Sequence, residues 1–99
     1  MNEEALRQFL KRGGRSASAI KRVVTFVQAF EAYLREQRGG RALDGAQPAD
    51  LRAFVDWVES EPKSSAKTHL WALRYYFEFT ANEELRSLAG GLRQSPGRA

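Results

Sequence analysis

Ile20, Val23, Val27, Phe30 and Leu34 follow one another at steps of three, four, three and four. Only an α-helix turns that spacing into a single apolar face. Val24, Phe26 and Tyr33 widen the stripe, so this helix needs neighbours on more than one side. Ser16 or Ser18 is suited to cap its start, and Gly39-Gly40 to close it. The same period runs through most of the chain. A first helix spans about Glu3 to Arg12, with Asn2 as cap, Leu6, Phe9 and Leu10 inward, and Gly13-Gly14 as its stop. After a loop from Gly40 to Gln47, Pro48 opens a third helix that runs to about Ser60. Leu51, Phe54, Val55 and Val58 face inward there, Asp50 lies in the first turn, and Pro62 blocks continuation. A fourth helix starts after Ser64 as N-cap and carries Leu70, Leu73, Tyr76, Phe77 and Phe79. A short fifth helix begins at Asn82, has Glu83 and Glu84 in its first turn and Leu85 and Leu88 inward, and stops at Gly90-Gly91. No segment alternates with the period of a strand. The expected fold is all-α, a compact bundle of four to five helices.

The chain has 99 residues, enough for one modest hydrophobic core. Residues 1–93 are read as a single helical domain and residues 94–99 as a polar, flexible tail. Lys11-Arg12-Gly13-Gly14-Arg15 resembles Gln37-Arg38-Gly39-Gly40-Arg41, but the flanking residues do not match. Two helices that end alike explain the likeness better than a repeat does. Cysteine is absent, which removes disulfides and thiolate chemistry. There is no apolar run long enough to span a membrane, and Met1-Asn2-Glu3-Glu4 lacks a signal core. A cytoplasmic location is the expectation.

Catalytic chemistry finds no foothold in the sequence. His69 is the only histidine and lacks partners for a metal site. Glu3-Glu4, Glu59/Glu61 and Glu83-Glu84 sit at helix ends, where the dipole or solvent explains them. Nucleophile and phosphate-loop motifs are absent. Neither metal nor cofactor is expected, and no small-molecule substrate is evident.

Charge is more informative. The net +4 divides into +5 over residues 1–41, −4 over 42–62 and +3 over 63–99. A basic–acidic–basic chain suggests one positive face that attracts a polyanion. Two basic edges stand out. Arg15, Lys21 and Arg22 surround the start of the second helix. Lys63 precedes the fourth helix, in which Lys67, Trp71, Arg74 and Glu78 share a face. Cations around a tryptophan suit phosphates while the ring packs on sugar or base. Equally, Trp71 suits the edge of a broad core stripe, with the cations merely solvated. The acidic third helix (Asp50, Asp56, Glu59, Glu61) should lie off any anion-binding face.

The order of features resembles a known family. A serine-bearing start leads into a helix ending Phe30…Tyr33-Leu34. Pro48-Ala49-Asp50-Leu51…Phe54-Val55 follows, then Ser64-Ser65, then Leu70-Trp71-Ala72-Leu73-Arg74-Tyr75-Tyr76-Phe77-Glu78-Phe79. Over about residues 16–80 this resembles the SAM-like, core-binding N-terminal domain of phage integrases and other tyrosine recombinases. The resemblance implies a helical bundle that clamps one side of double-stranded DNA while a separate C-terminal domain cuts it. It implies DNA contact by Lys21 and Arg22, and by Ser64, Ser65, Lys67 and Thr68. Ala19, Trp71 and Asn82-Glu83 depart from the family's usual Thr, Ser and Asn-Pro. The catalytic domain of the resembled recombinases is absent from this sequence.

Two functions follow as expectations. One is non-catalytic duplex DNA binding in support of a separate catalytic or specificity module, through Arg15, Lys21, Arg22, Lys63, Ser64, Ser65, Lys67, Thr68, Trp71 and Arg74. The alternative is a helical protein–protein adaptor with Trp71 and Tyr75 as its aromatic anchor. Charge alone does not separate DNA from RNA.

Overall fold

Asn2, Ser16 and Asn82 each start a helix by accepting a backbone N–H, from Ala5 at 3.1 Å, Ala19 at 3.2 Å and Leu85 at 3.1 Å. In the computed structural model, which describes residues 1–62 and 65–94, five helices result. They are α1 (Glu3–Arg12), α2 (Ala17–Gln37), α3 (Pro48–Glu59), α4 (Lys67–Phe79) and α5 (Glu83–Gln94). The radius of gyration is 13.0 Å, the value expected of a compact chain near this length. The expected all-α bundle is the one observed, with five helices.

The core forms where α2, α3 and α4 meet. Phe30 packs 5.0 Å from Phe54 and 6.5 Å from Phe77, ring centre to ring centre. All three are buried, as are Val23, Val27, Leu34, Leu51, Leu70 and Leu73. The three-and-four stripe of α2 is therefore the wall on which the other helices close. Helix α1 runs antiparallel to α2: Gln28 Nε2 donates to Glu3 Oε1 at 3.1 Å, and Leu6 and Leu10 are buried beneath.

Three local expectations need correction. The loop from Gly40 to Gln47 contains a 3-10 turn at Leu43–Gly45, which buries Leu43. The cap position of α4 is held by Ala66, not Ser64, and Ala66 makes no side-chain cap hydrogen bond. Ser64 lies outside the described residues. Gly90-Gly91 does not stop α5, which continues to Gln94. Two mid-helix glycines cost about 2 kcal/mol in propensity. Leu85 and Ala89, buried on α5, and Leu92, packed against the core, offset that cost. The tail from residue 95 onward lies outside the described residues.

Asp50 lies in the first turn of α3, as expected, and is 1% exposed. Its carboxylate accepts the Gln47 N–H at 2.8 Å and meets Arg38 Nε at 2.8 Å and Arg41 Nε at 3.0 Å. One side chain thus caps α3 and fastens it to the chain leaving α2. Burial pushes the carboxyl up; the Arg38 and Gln47 hydrogen bonds and the two guanidinium charges together outweigh it. The pKa lies below its ordinary 3.8.

Ala81, between α4 and α5, has φ +57°, the left-handed region that costs a Cβ-bearing residue about 1 kcal/mol. Gly91 is helical, and a Cβ there would meet nothing within 4 Å. Exchanging the residue types should help at both positions. Ala81→Gly and Gly91→Ala are each expected to stabilise the domain by roughly 0.5–1 kcal/mol, raising the thermal midpoint by a few degrees. A thermal melt of each variant checks this.

Candidate nucleic-acid interface

Helices α2 and α4 are antiparallel neighbours, and their pairing builds the surface. Arg15 reaches Tyr75, Arg22 reaches Trp71, and Phe26 reaches His69: positions rise on α2 as they fall on α4. Arg15 Nη1 donates to the Tyr75 hydroxyl at 2.8 Å, and its guanidinium carbon lies 5.7 Å from the ring centre. The Arg22 guanidinium sits 5.7 Å from the centre of the Trp71 ring. The two rings meet edge to face, 5.5 Å apart at 87°. Arg22, Lys67, Thr68 and Trp71 enclose a shallow cleft of about 210 Å³. Phe26 and His69 continue the seam at 4.7 Å.

A continuous strip results. Arg15, Arg22 and Lys67 are exposed along it, and Thr68, Trp71 and Tyr75 are half-buried between them. Ser65 adjoins at the start of α4, where its Oγ accepts the Lys67 N–H at 3.2 Å. The starts of α2 and α4 do not lie side by side. Phe26, opposite the first turn of α4, is ten residues beyond Ser16, about 15 Å along the helix.

Not every expected residue joins the strip. Lys21 is exposed but shares its face with Gln28, which bonds to α1, so it points to the α1 side. Arg74 turns toward α5, where its Nε would lie 3.6 Å from a Cβ at Gly90. Lys63 and Ser64 fall outside the described residues. Tyr75, named in the adaptor reading but not among the expected DNA contacts, lies in the strip; its spacing of four from Trp71 was the available signal. Trp71 packs against the core, as the core-stripe reading expects, and carries Arg22 on its face.

The strip's cations are unneutralised. Arg7, Arg35, Arg38, Arg41 and Arg86 each have a carboxylate within 4.0 Å. Arg15, Arg22 and Lys67 have none among the described residues. Acidic α3 was expected to lie off this surface but reaches its Lys67 end: Phe54 lies 5.3 Å from His69, and Glu59 Oε2 accepts the Ala66 N–H at 3.2 Å, one residue before Lys67.

His69 packs against Phe26 and Phe54, and its Nδ1 is buried without a hydrogen-bond partner among the described residues. Burial pushes its pKa below the ordinary 6.5. Above pH 6.5 the ring is neutral in both folded and unfolded chains and adds no pH dependence. Below it the unfolded chain takes the proton first, so stability falls until the folded pKa is also passed. A melt at pH 5.5 should therefore lie below one at pH 7.5. His69→Phe should remove most of that difference.

Among the described residues, no group of three His, Asp or Glu side chains converges as metal ligands, and no helix is long and apolar enough to cross a membrane. Searches among curated proteins and among solved structures returned no match. Residues 4–84 match the family model described as phage integrase, N-terminal SAM-like domain. The match takes in α1, which the resemblance over residues 16–80 had left out, and does not include the recombinases' catalytic domain. With five helices in place and most of the chain covered, this protein belongs to the phage integrase N-terminal SAM-like domain family.

Proposed function

We propose that this chain is a duplex DNA-binding module, non-catalytic in itself, which holds DNA for a separate catalytic or specificity module. The domain family binds DNA in tyrosine recombinases. The observation that carries the reading is the strip of Arg15, Arg22 and Lys67 on one flank of α2 and α4, three exposed cations with no ion pair among the described residues. Arg15 and Arg22 are held over aromatic rings, so less side-chain entropy is lost when they meet phosphates. Lys67 and Thr68 lie in the first turn of α4, where the Ala66 and Lys67 N–H groups are already bonded by Glu59 and Ser65, so it is the two side chains that would meet a phosphate. Trp71 then packs against sugar or a groove edge. An adaptor that uses Trp71 and Tyr75 as anchors would first have to displace both guanidiniums.

Fluorescence anisotropy on a labelled duplex tests the proposal. With three cations on phosphates, log K should fall by about 2.7 per tenfold rise in salt. Affinity should drop about 40-fold between 50 and 200 mM salt. No binding at low salt, or binding that ignores salt, would refute it. Single-stranded RNA bound more tightly than duplex DNA would redirect it to RNA.

A further inference from the structure

The strip does not stop at Arg15. Beyond Arg15 and Tyr75 the flank opens into a cleft of about 400 Å³, where the end of α1 meets the end of α4. Phe9, Leu10 and Tyr75 give it an apolar lining, and the Phe9 ring packs 5.4 Å from Phe79. Arg12 and Arg15 also line it, and both are exposed. Gly14, at φ +83°, turns the chain between them, so cations from consecutive helices share one opening.

The charges here are not spoken for. Arg12 has no ion pair among the described residues; its Nε reaches only the Gln8 carbonyl, at 3.4 Å. Arg15 is anchored by the Tyr75 hydroxyl at 2.8 Å and the Gly13 carbonyl at 3.4 Å, and a guanidinium has further N–H groups to offer. The carbonyls of Phe9, Leu10 and Lys11, which carry the negative end of α1, already accept the N–H groups of Gly13, Arg15 and Gly14. Glu78 lines the cleft as well, but Arg86 stands 4.0 Å from its carboxylate. Two unpaired guanidiniums beside one paired carboxylate suit an anion, and the apolar lining suits an anion that carries apolar surface with it.

We propose that this cleft lengthens the DNA site. One strand's backbone passes Arg15 and enters the cleft, with a phosphate on Arg12 and the adjoining deoxyribose on Phe9 and Tyr75. Arg12 is then a fourth phosphate contact, supplied by α1. This placement rests on the duplex-DNA reading of the strip. Arg15 and Tyr75 belong to both strip and cleft, so a strand held on one runs into the other.

Fluorescence anisotropy of the full chain with a labelled duplex, across a salt series, provides the test. Four phosphate contacts give a salt slope of about 3.6, against about 2.7 for three. Arg12→Gln should return the slope to about 2.7 and weaken binding about tenfold at low salt. Arg12→Lys keeps the charge and should keep the slope. Lys11→Gln, one residue away and outside the cleft, should leave the slope at about 3.6. Duplex DNA should also shift the 15N amides of Arg12 and Gly13. The placement is overturned, and the strip left standing, if Arg12→Gln keeps the wild-type slope while Arg22→Gln lowers it. Equal losses from Lys11→Gln and Arg12→Gln would overturn it too. No binding to duplex at low salt would overturn both readings. A Glu/Phe peptide, or a second copy of the chain, that shifts the Arg12 amide while duplex DNA leaves it unmoved would give the cleft to a protein instead.

Discussion

Asp50→Ala is expected to destabilise the domain by about 2–3 kcal/mol, the largest loss from any single polar side chain described here. Three contacts disappear together: the cap on Gln47 and the pairings with Arg38 and Arg41. Breaking a fully buried ion pair costs about 3–5 kcal/mol, because the stranded charge stays buried. Here the stranded arginines can reach water, since their side chains are already 34% and 43% exposed. That places the loss at the lower end, a drop of about 10–20 °C in thermal midpoint for a domain this size. Asp50→Asn should lose less, because its amide oxygen still accepts the Gln47 N–H. Acid gives a second check. The Asp50 carboxyl is held below its ordinary 3.8, so its contribution is complete above that pH. The contribution is lost as pH falls through the folded value. Denaturation curves should therefore show the gap between wild type and Asp50→Ala narrowing toward pH 3.

Reversing two charges on the strip has the largest expected effect on binding. Arg22→Glu with Lys67→Glu removes two of three phosphate contacts and sets two carboxylates beside the backbone. Each lost charge-assisted contact weakens binding about tenfold. The pair should weaken it at least about a hundredfold and lower the salt slope by about two. Both positions are exposed, so the melting curve should change little. Lys21→Ala and Arg74→Ala, which lie off the strip, should leave the salt slope unchanged. That contrast matters because charge and family resemblance alone put all four residues in the site. If Lys21 and Arg74 mattered as much as Arg22 and Lys67, binding would follow overall charge and the strip would have no special role.

Much of the fold was legible because it depends on local chemistry. Asn2, Ser16 and Asn82 cap helices through bonds that span three residues. Gly14 and Gly39 take left-handed backbones, φ +83° and +69°, where the chain leaves α1 and α2. The misreadings share a cause: in each, distant packing outweighed a local rule. Gly90-Gly91 reads as a stop until α4 is placed beside α5. Asp50 reads only as a first-turn residue until the end of α2 delivers Arg38 to it.

The site was legible in its residue types and not in its geometry. Arg22 over Trp71 and Arg15 on Tyr75 depend on how α2 and α4 are offset, which neither stripe encodes alone. One distinction was available earlier. Lys21 and Arg22 are consecutive in a helix and therefore about 100° apart, so only one of them can face α4.

DNA is proposed to be held on the Arg15–Thr68 strip. Titrating a short duplex into 15N-labelled protein tests it residue by residue. Shifts should concentrate at the amides of Arg15, Arg22, Lys67 and Thr68 and at the Trp71 indole, with α5 unmoved. Shifts centred on α3 or α5, or none at low salt, would contradict it.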